Sequence, residues 1–142
     1  MRWSSLVLCV ILVISFSTSG CFGSTDEFYY SVDDPVDNSN SIETSDVLFT
    51  LTLDNDGGVD MEISDLVVII EKSGPQTCAT SGTEGSCLVV QSGSDDSLWE
   101  IGETLNITEN GVDICSQHCM LAFSVDGPDG AKVMGPTILN TT

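Results

Sequence analysis

From residue 47 to residue 53 the side chains alternate with a period of two: Val47, Phe49, Leu51 and Leu53 on one side, Leu48, Thr50 and Thr52 on the other. That period describes a strand with one buried face, because successive side chains point to opposite sides of a pleated backbone. DNDGG at 54–58 then reverses the chain, with Gly supplying positive φ and Asn or Asp tolerating it. A chain built on this grammar needs a second layer to cover the apolar face.

The pattern recurs to the end of the chain. FYYSV at 28–32 reads as a strand, DDPVDNSNSIETSD at 33–46 as a polar loop, and the apolar run 67–70 as a central strand. GPQTCATSGTEGSC at 74–87 reads as loop, followed by strands at 88–91, around Leu105 and Ile107, at 120–125 and over 131–139. No segment has helical period. The expectation is an all-β domain over 28–142, an immunoglobulin-like two-sheet sandwich of about seven strands. The Cys…Trp…Cys spacing of antibody domains is absent, and the local cysteine pairs do not supply that inter-sheet bond.

Ahead of the domain, MRWSSLVLCVILVISFSTSG (1–20) has the parts of a signal peptide: Arg2, an apolar run from Leu6 to Phe16, then small residues. The run is too short to span a bilayer as a helix, which needs about 20 apolar residues. Cys21 after Thr18-Ser19-Gly20 resembles a lipobox, with Thr18 where Leu is usual. Cys21 is therefore the expected lipid-attachment residue, and 21–27 a tether. The chain is expected outside the cytosol, either anchored to the outer face of the membrane by that lipid or secreted.

Export makes disulfides the natural state of cysteine. Apart from Cys9 in the signal and Cys21, there remain Cys78, Cys87, Cys115 and Cys119, which allow three pairings. Proximity favours Cys78–Cys87 and Cys115–Cys119. A metal site using these thiols with His118 is disfavoured, since CSQHC reverses the haem-attachment order and no CxxC pair occurs.

Charge narrows the function. There are 22 Asp and Glu against 3 Lys and Arg, a net −19, which argues against nucleic acid and against anionic headgroups as partners. Membrane contact would come through the lipid anchor alone. The one His excludes mechanisms that need two imidazoles, and no GxSxG, HExxH, GxxxxGK[ST] or GxGxxG motif is present. Asp33-Asp34 and Asp95-Asp96 are adjacent pairs, whose carboxylates diverge on a strand. Asp54, Asp56 and Asp60 have the flavour of a calcium loop but miss the EF-hand spacing, so a plain turn is the first reading and structural calcium the second. Asn106 and Asn140 head glycosylation sequons.

Gly57, Gly58, Asp60, Ser64, Asp65 and Leu66, then Trp99, Gly102 and Glu103, resemble the globular domain of archaeal type IV pilins and archaellins. The likeness runs over roughly 47–139 and implies a β-sandwich. The long apolar helix that follows the cleavage site in pilins has no counterpart in FGSTDEFYYSVDD, so filament building by that helix is not expected. Residue by residue, Gly57-Gly58 also serves a tight turn, Asp65 a local backbone hydrogen bond, and Trp99 a core or sheet-edge anchor.

The expected function is a non-catalytic surface module for adhesion or for envelope- or filament-associated interaction, its partner an envelope protein or a glycan. The alternative is a calcium- or ligand-binding envelope lipoprotein, accessory to transport or export. Without the signal, Lys72 and Lys132 face 22 carboxylates. At about 1 M salt the Debye length falls to roughly 3 Å, which removes most of that self-repulsion. The melting temperature should therefore rise between low and molar NaCl, as expected for a saline habitat; a flat or falling profile in a thermal scan would contradict this.

Overall fold

A computed structural model describes residues 28–33, 44–93, 96–116 and 118–141. The signal segment, Cys21, the tether, Asp34 and Asp95 lie outside the described residues. Eight strands are present: β1 Phe28–Asp33, β2 Val47–Asp56, β3 Val67–Glu71, β4 Pro75–Cys78, β5 Cys87–Ser92, β6 Thr104–Glu109, β7 Met120–Asp126 and β8 Lys132–Asn140. Two short 3-10 turns, Ile63–Asp65 and Pro128–Gly130, are the helical elements among the described residues.

The strands form two four-stranded antiparallel sheets, ordered β1-β2-β6-β5 and β4-β3-β7-β8. With the strands lettered as in immunoglobulins, these orders read A-B-E-D and C′-C-F-G, so the expected sandwich is present with eight strands. The extra strand is β4, which lies in a segment whose composition reads as loop. Its signal is weak because it has four residues, begins with Pro75 and pairs with β3 alone, an edge position where a missing N–H is tolerated. β3 is central, between β4 and β7.

Inward side chains of both sheets make one core, including Leu51, Leu53, Val68, Ile70, Leu105, Ile107, Leu121 and Val125. Phe49 of β2 meets Phe123 of β7 across the interface, with ring centroids 4.3 Å apart and planes tilted by 32°. The period-two reading of β2 holds from Phe49 onward and fails at its start. A register shift against β6 between Val47 and Phe49 leaves Leu48 fully buried beside Phe49, although strict alternation puts Leu48 outside.

Both disulfides join the nearest cysteines, Cys78–Cys87 with Cα atoms 4.5 Å apart and Cys115–Cys119 with 6.0 Å. The inter-sheet bond of antibody domains, between strands B and F, is absent. Even so, Cys78–Cys87 joins the sheets, because the chain crosses from the end of β4 to the start of β5 along one open side. That side is also closed by backbone: Ala79 N–H donates to Cys87 O at 2.9 Å and Val89 N–H to Ala79 O at 2.8 Å.

The register gives the sandwich a polarity. Phe28 pairs with Asp56, so the chain reaches β1 at the end holding the 57–66, 93–103 and 127–131 loops. Met120 pairs with Asn140, so β8 finishes at the opposite end, where the loops 79–86 and 110–119 lie. Asn110 ties these two loops together, donating from Nδ2 to Thr83 O and Gly85 O, both at 2.8 Å. Replacing Cys78 and Cys87 together with Ser should lower unfolding free energy by about 2–3 kcal/mol, the loop-entropy value for so short a loop. Urea unfolding of the double variant under oxidising conditions checks it, and an unchanged midpoint would contradict it.

Candidate functional site

The turn after β2 is set by its own side chains. Gly57 and Gly58 adopt φ of 65° and 78°, while Asn55 Oδ1 accepts the Gly57 N–H at 2.9 Å and Asp56 Oδ1 the Gly58 N–H at 2.8 Å. The carboxylate that sequence offers to calcium at position 56 thus already serves the turn. Asp54 is exposed on β2, and Asp60 is exposed beyond the turn. Among the described residues no three His, Cys, Asp or Glu side chains gather into a group able to hold a metal.

Against this turn packs the segment from Leu98 to Glu103. Trp99 is buried, at 2% exposure. Its backbone N–H donates to Met61 O at 2.8 Å and its indole N–H to Glu103 O at 2.9 Å. Glu103 Oε2 accepts from Gln91 Nε2 and from the Glu100 N–H, each at 2.9 Å, and the Gly102 N–H donates to Leu53 O at 2.7 Å. These bonds tie the start of β6 to the end of β2 and to the segment before β3. Trp99 acts as a core anchor. Asp65 is exposed and its backbone N–H, not its side chain, makes the local bond, donating to Glu62 O at 3.0 Å.

Between the two segments opens a cleft of about 340 Å³, floored by the buried Met61 and Trp99 and rimmed by the exposed Ile101 with Asp56, Asp60 and Glu100. The residues around 57–60 and 99–103 therefore meet at one end of the sandwich. Rim and floor together would accept a cationic group on an aliphatic stem.

The opposite end holds a group that motif reading passes over. Glu109 is 2% exposed. Its Oε1 accepts the N–H of Ile114 at 2.7 Å and of Cys115 at 2.8 Å, while Oε2 is buried without a hydrogen-bond partner. Burial raises its pKa; the two N–H bonds oppose that shift, and the negative charges of Asp113 and Asp46 add to it. The sequence did carry the signal: period two through Leu105 and Ile107 places residue 109 on the inner face.

The remaining candidates are spread out. His118 is exposed in the loop closed by Cys115–Cys119. Asn106 lies in β6, a central strand, with Nδ2 donating to Ser92 Oγ at 2.7 Å, and Asn140 is exposed at the end of β8. No protein-family model matches the chain, and neither the curated proteins nor the solved structures contain a match.

The Trp99 corner yields a graded prediction. Trp99→Phe removes the indole donor while retaining an aromatic ring and should cost about 1–3 kcal/mol; Trp99→Ala should cost about 3–5 kcal/mol through the cavity. Chemical denaturation resolves the two, and equal effects would show that the hydrogen bond to Glu103 O carries the whole contribution.

Proposed function

We propose that this chain is an exported, lipid-anchored, non-catalytic β-sandwich displayed at the cell surface for adhesion or for association with envelope or filament components. The polarity of the sandwich carries the reading. Residues 22–27 separate Cys21 from Phe28, a reach of at most roughly 20–25 Å, so an anchor at Cys21 keeps the Asp56 end near the membrane. That end is rich in carboxylates and is repelled by anionic headgroups, which favours a domain standing off the surface. The outward end is then the one closed by Cys115–Cys119 and by the loop between Cys78 and Cys87. Two disulfides in a domain this small accord with an oxidising compartment. The likeness to pilin heads supports a surface role without the pilin helix.

The alternative, a calcium- or ligand-binding envelope lipoprotein, draws on the cleft shared by Asp56, Asp60 and Glu100. Calorimetry separates the two: tight calcium binding with a raised melting temperature favours the alternative, and no heat favours the display module. For the anchor, intact mass of membrane-extracted protein should show a lipid adduct that Cys21→Ser abolishes, releasing the chain into the medium. An unmodified wild-type chain in the medium would overturn the anchor. A photo-crosslinker in place of Val112, at the outward end, should yield adducts with envelope proteins or glycans on intact cells. An absence of adducts there and at the cleft would overturn the interaction role.

A further inference from the structure

Glu109 lies at the end of β6, at the end of the sandwich opposite Asp56. Its backbone N–H donates to Asp46 O at 2.8 Å, and its side chain holds the two amides that precede the Cys115–Cys119 bond. Two acids face it, and one cation lies on the backbone of the 110–119 loop. Asp46 precedes β2, Asp113 lies on the 110–119 loop, and Lys72 follows β3 and donates to Ile114 O. Lys72 makes no ion pair with Glu109 among the described residues. His118 is exposed further along the same loop.

We propose that Glu109 is a proton-operated latch: its protonated carboxyl holds the 110–119 loop shut against the sandwich, and loss of the proton loosens that loop. Oε1 can accept the Ile114 and Cys115 amides in either state. Those two bonds are stronger to the carboxylate and favour it, but the burial of charge at Oε2 outweighs them. The neutral acid buries no net charge, whereas the carboxylate buries a charge with one oxygen lacking a donor and two further acids facing it. Lifting the loop lets water reach that oxygen, so the open form tolerates the carboxylate and the closed form disfavours it.

The sign follows from linkage. The closed form binds the proton more tightly than the open form, so closure is fully favoured below the open-form pKa. It is lost as pH rises through the higher closed-form value. The loop does not move alone. Thr141 is 3% exposed, and its hydroxyl lies 3.2 Å from Cys115 Sγ and accepts the Cys119 N–H at 3.0 Å. Its own N–H donates to Cys119 O at 2.9 Å. Opening therefore loosens the bonds of Thr141 together with the loop that carries Val112 and His118.

Amide hydrogen exchange on the full disulfide-bonded chain tests this, with rates corrected for intrinsic pH dependence. Protection at Ile114 and Cys115 should fall by about tenfold per pH unit at most across the closed-form titration, without a parallel fall at Leu105 and Ile107. Glu109→Gln keeps an acceptor oxygen and cannot titrate, so protection there should be flat with pH. His118→Ala should leave the slope in place. A flat wild-type profile overturns the latch, as does an equal slope in Glu109→Gln or a slope removed by His118→Ala. The carboxyl carbon shift of Glu109 in wild-type protein gives a readout independent of any variant: a titration at or below the ordinary glutamate value also overturns it.

Discussion

The stacking of two inner sheet faces governs the rest of this molecule. Neither sheet can keep its apolar side in water, and the meeting of Phe49 with Phe123 marks where they close on each other. Once that interface is made, the positions of the strand ends follow from register, and the loops have little choice about which end they occupy. The Trp99 corner and the Glu109 loop are two answers to one problem, that of tying down irregular backbone where the sheets run out. Trp99 answers with an indole donor and a neighbouring carbonyl. Glu109 answers with a buried carboxyl and two amides.

The difference between those answers matters for function. The corner at the Asp56 end spends its acids on local bonds: Asp56 holds the turn, and Glu103 accepts from Gln91 and from the Glu100 amide. At the other end, a carboxyl is enclosed with one oxygen unpaired, close to two more acids. The two ends of the sandwich therefore differ in how their irregular backbone is held, one by an indole and backbone carbonyls and the other by an enclosed acid.

Much of the architecture could be read from residues 47–53, whose alternation is strong because β2 is long and lines the core. β3 was legible as a continuous apolar run, while the same rule located β6 through Leu105 and Ile107. It missed β4, since four residues starting with proline carry no period, and it misplaced Leu48, since a bulge is a tertiary accommodation between two ladders. The cysteine pairing was legible from spacing, but the crossing of Cys78–Cys87 between sheets depended on where β4 lay. Of the site residues, Trp99 announced itself by type. Glu109 was legible only through the face it shares with Leu105 and Ile107, a signal that a search for catalytic or metal motifs does not examine.

The placement of Phe28 and Thr141 at opposite ends has a mechanical consequence. A pull applied between Phe28 and Thr141 runs along the strands. It strains the ladders joining β1 to β2 and β7 to β8 lengthwise, so many hydrogen bonds share the force at once. Such a geometry resists flow and tugging better than one whose ends lie side by side, where bonds would break in succession like the teeth of a zip.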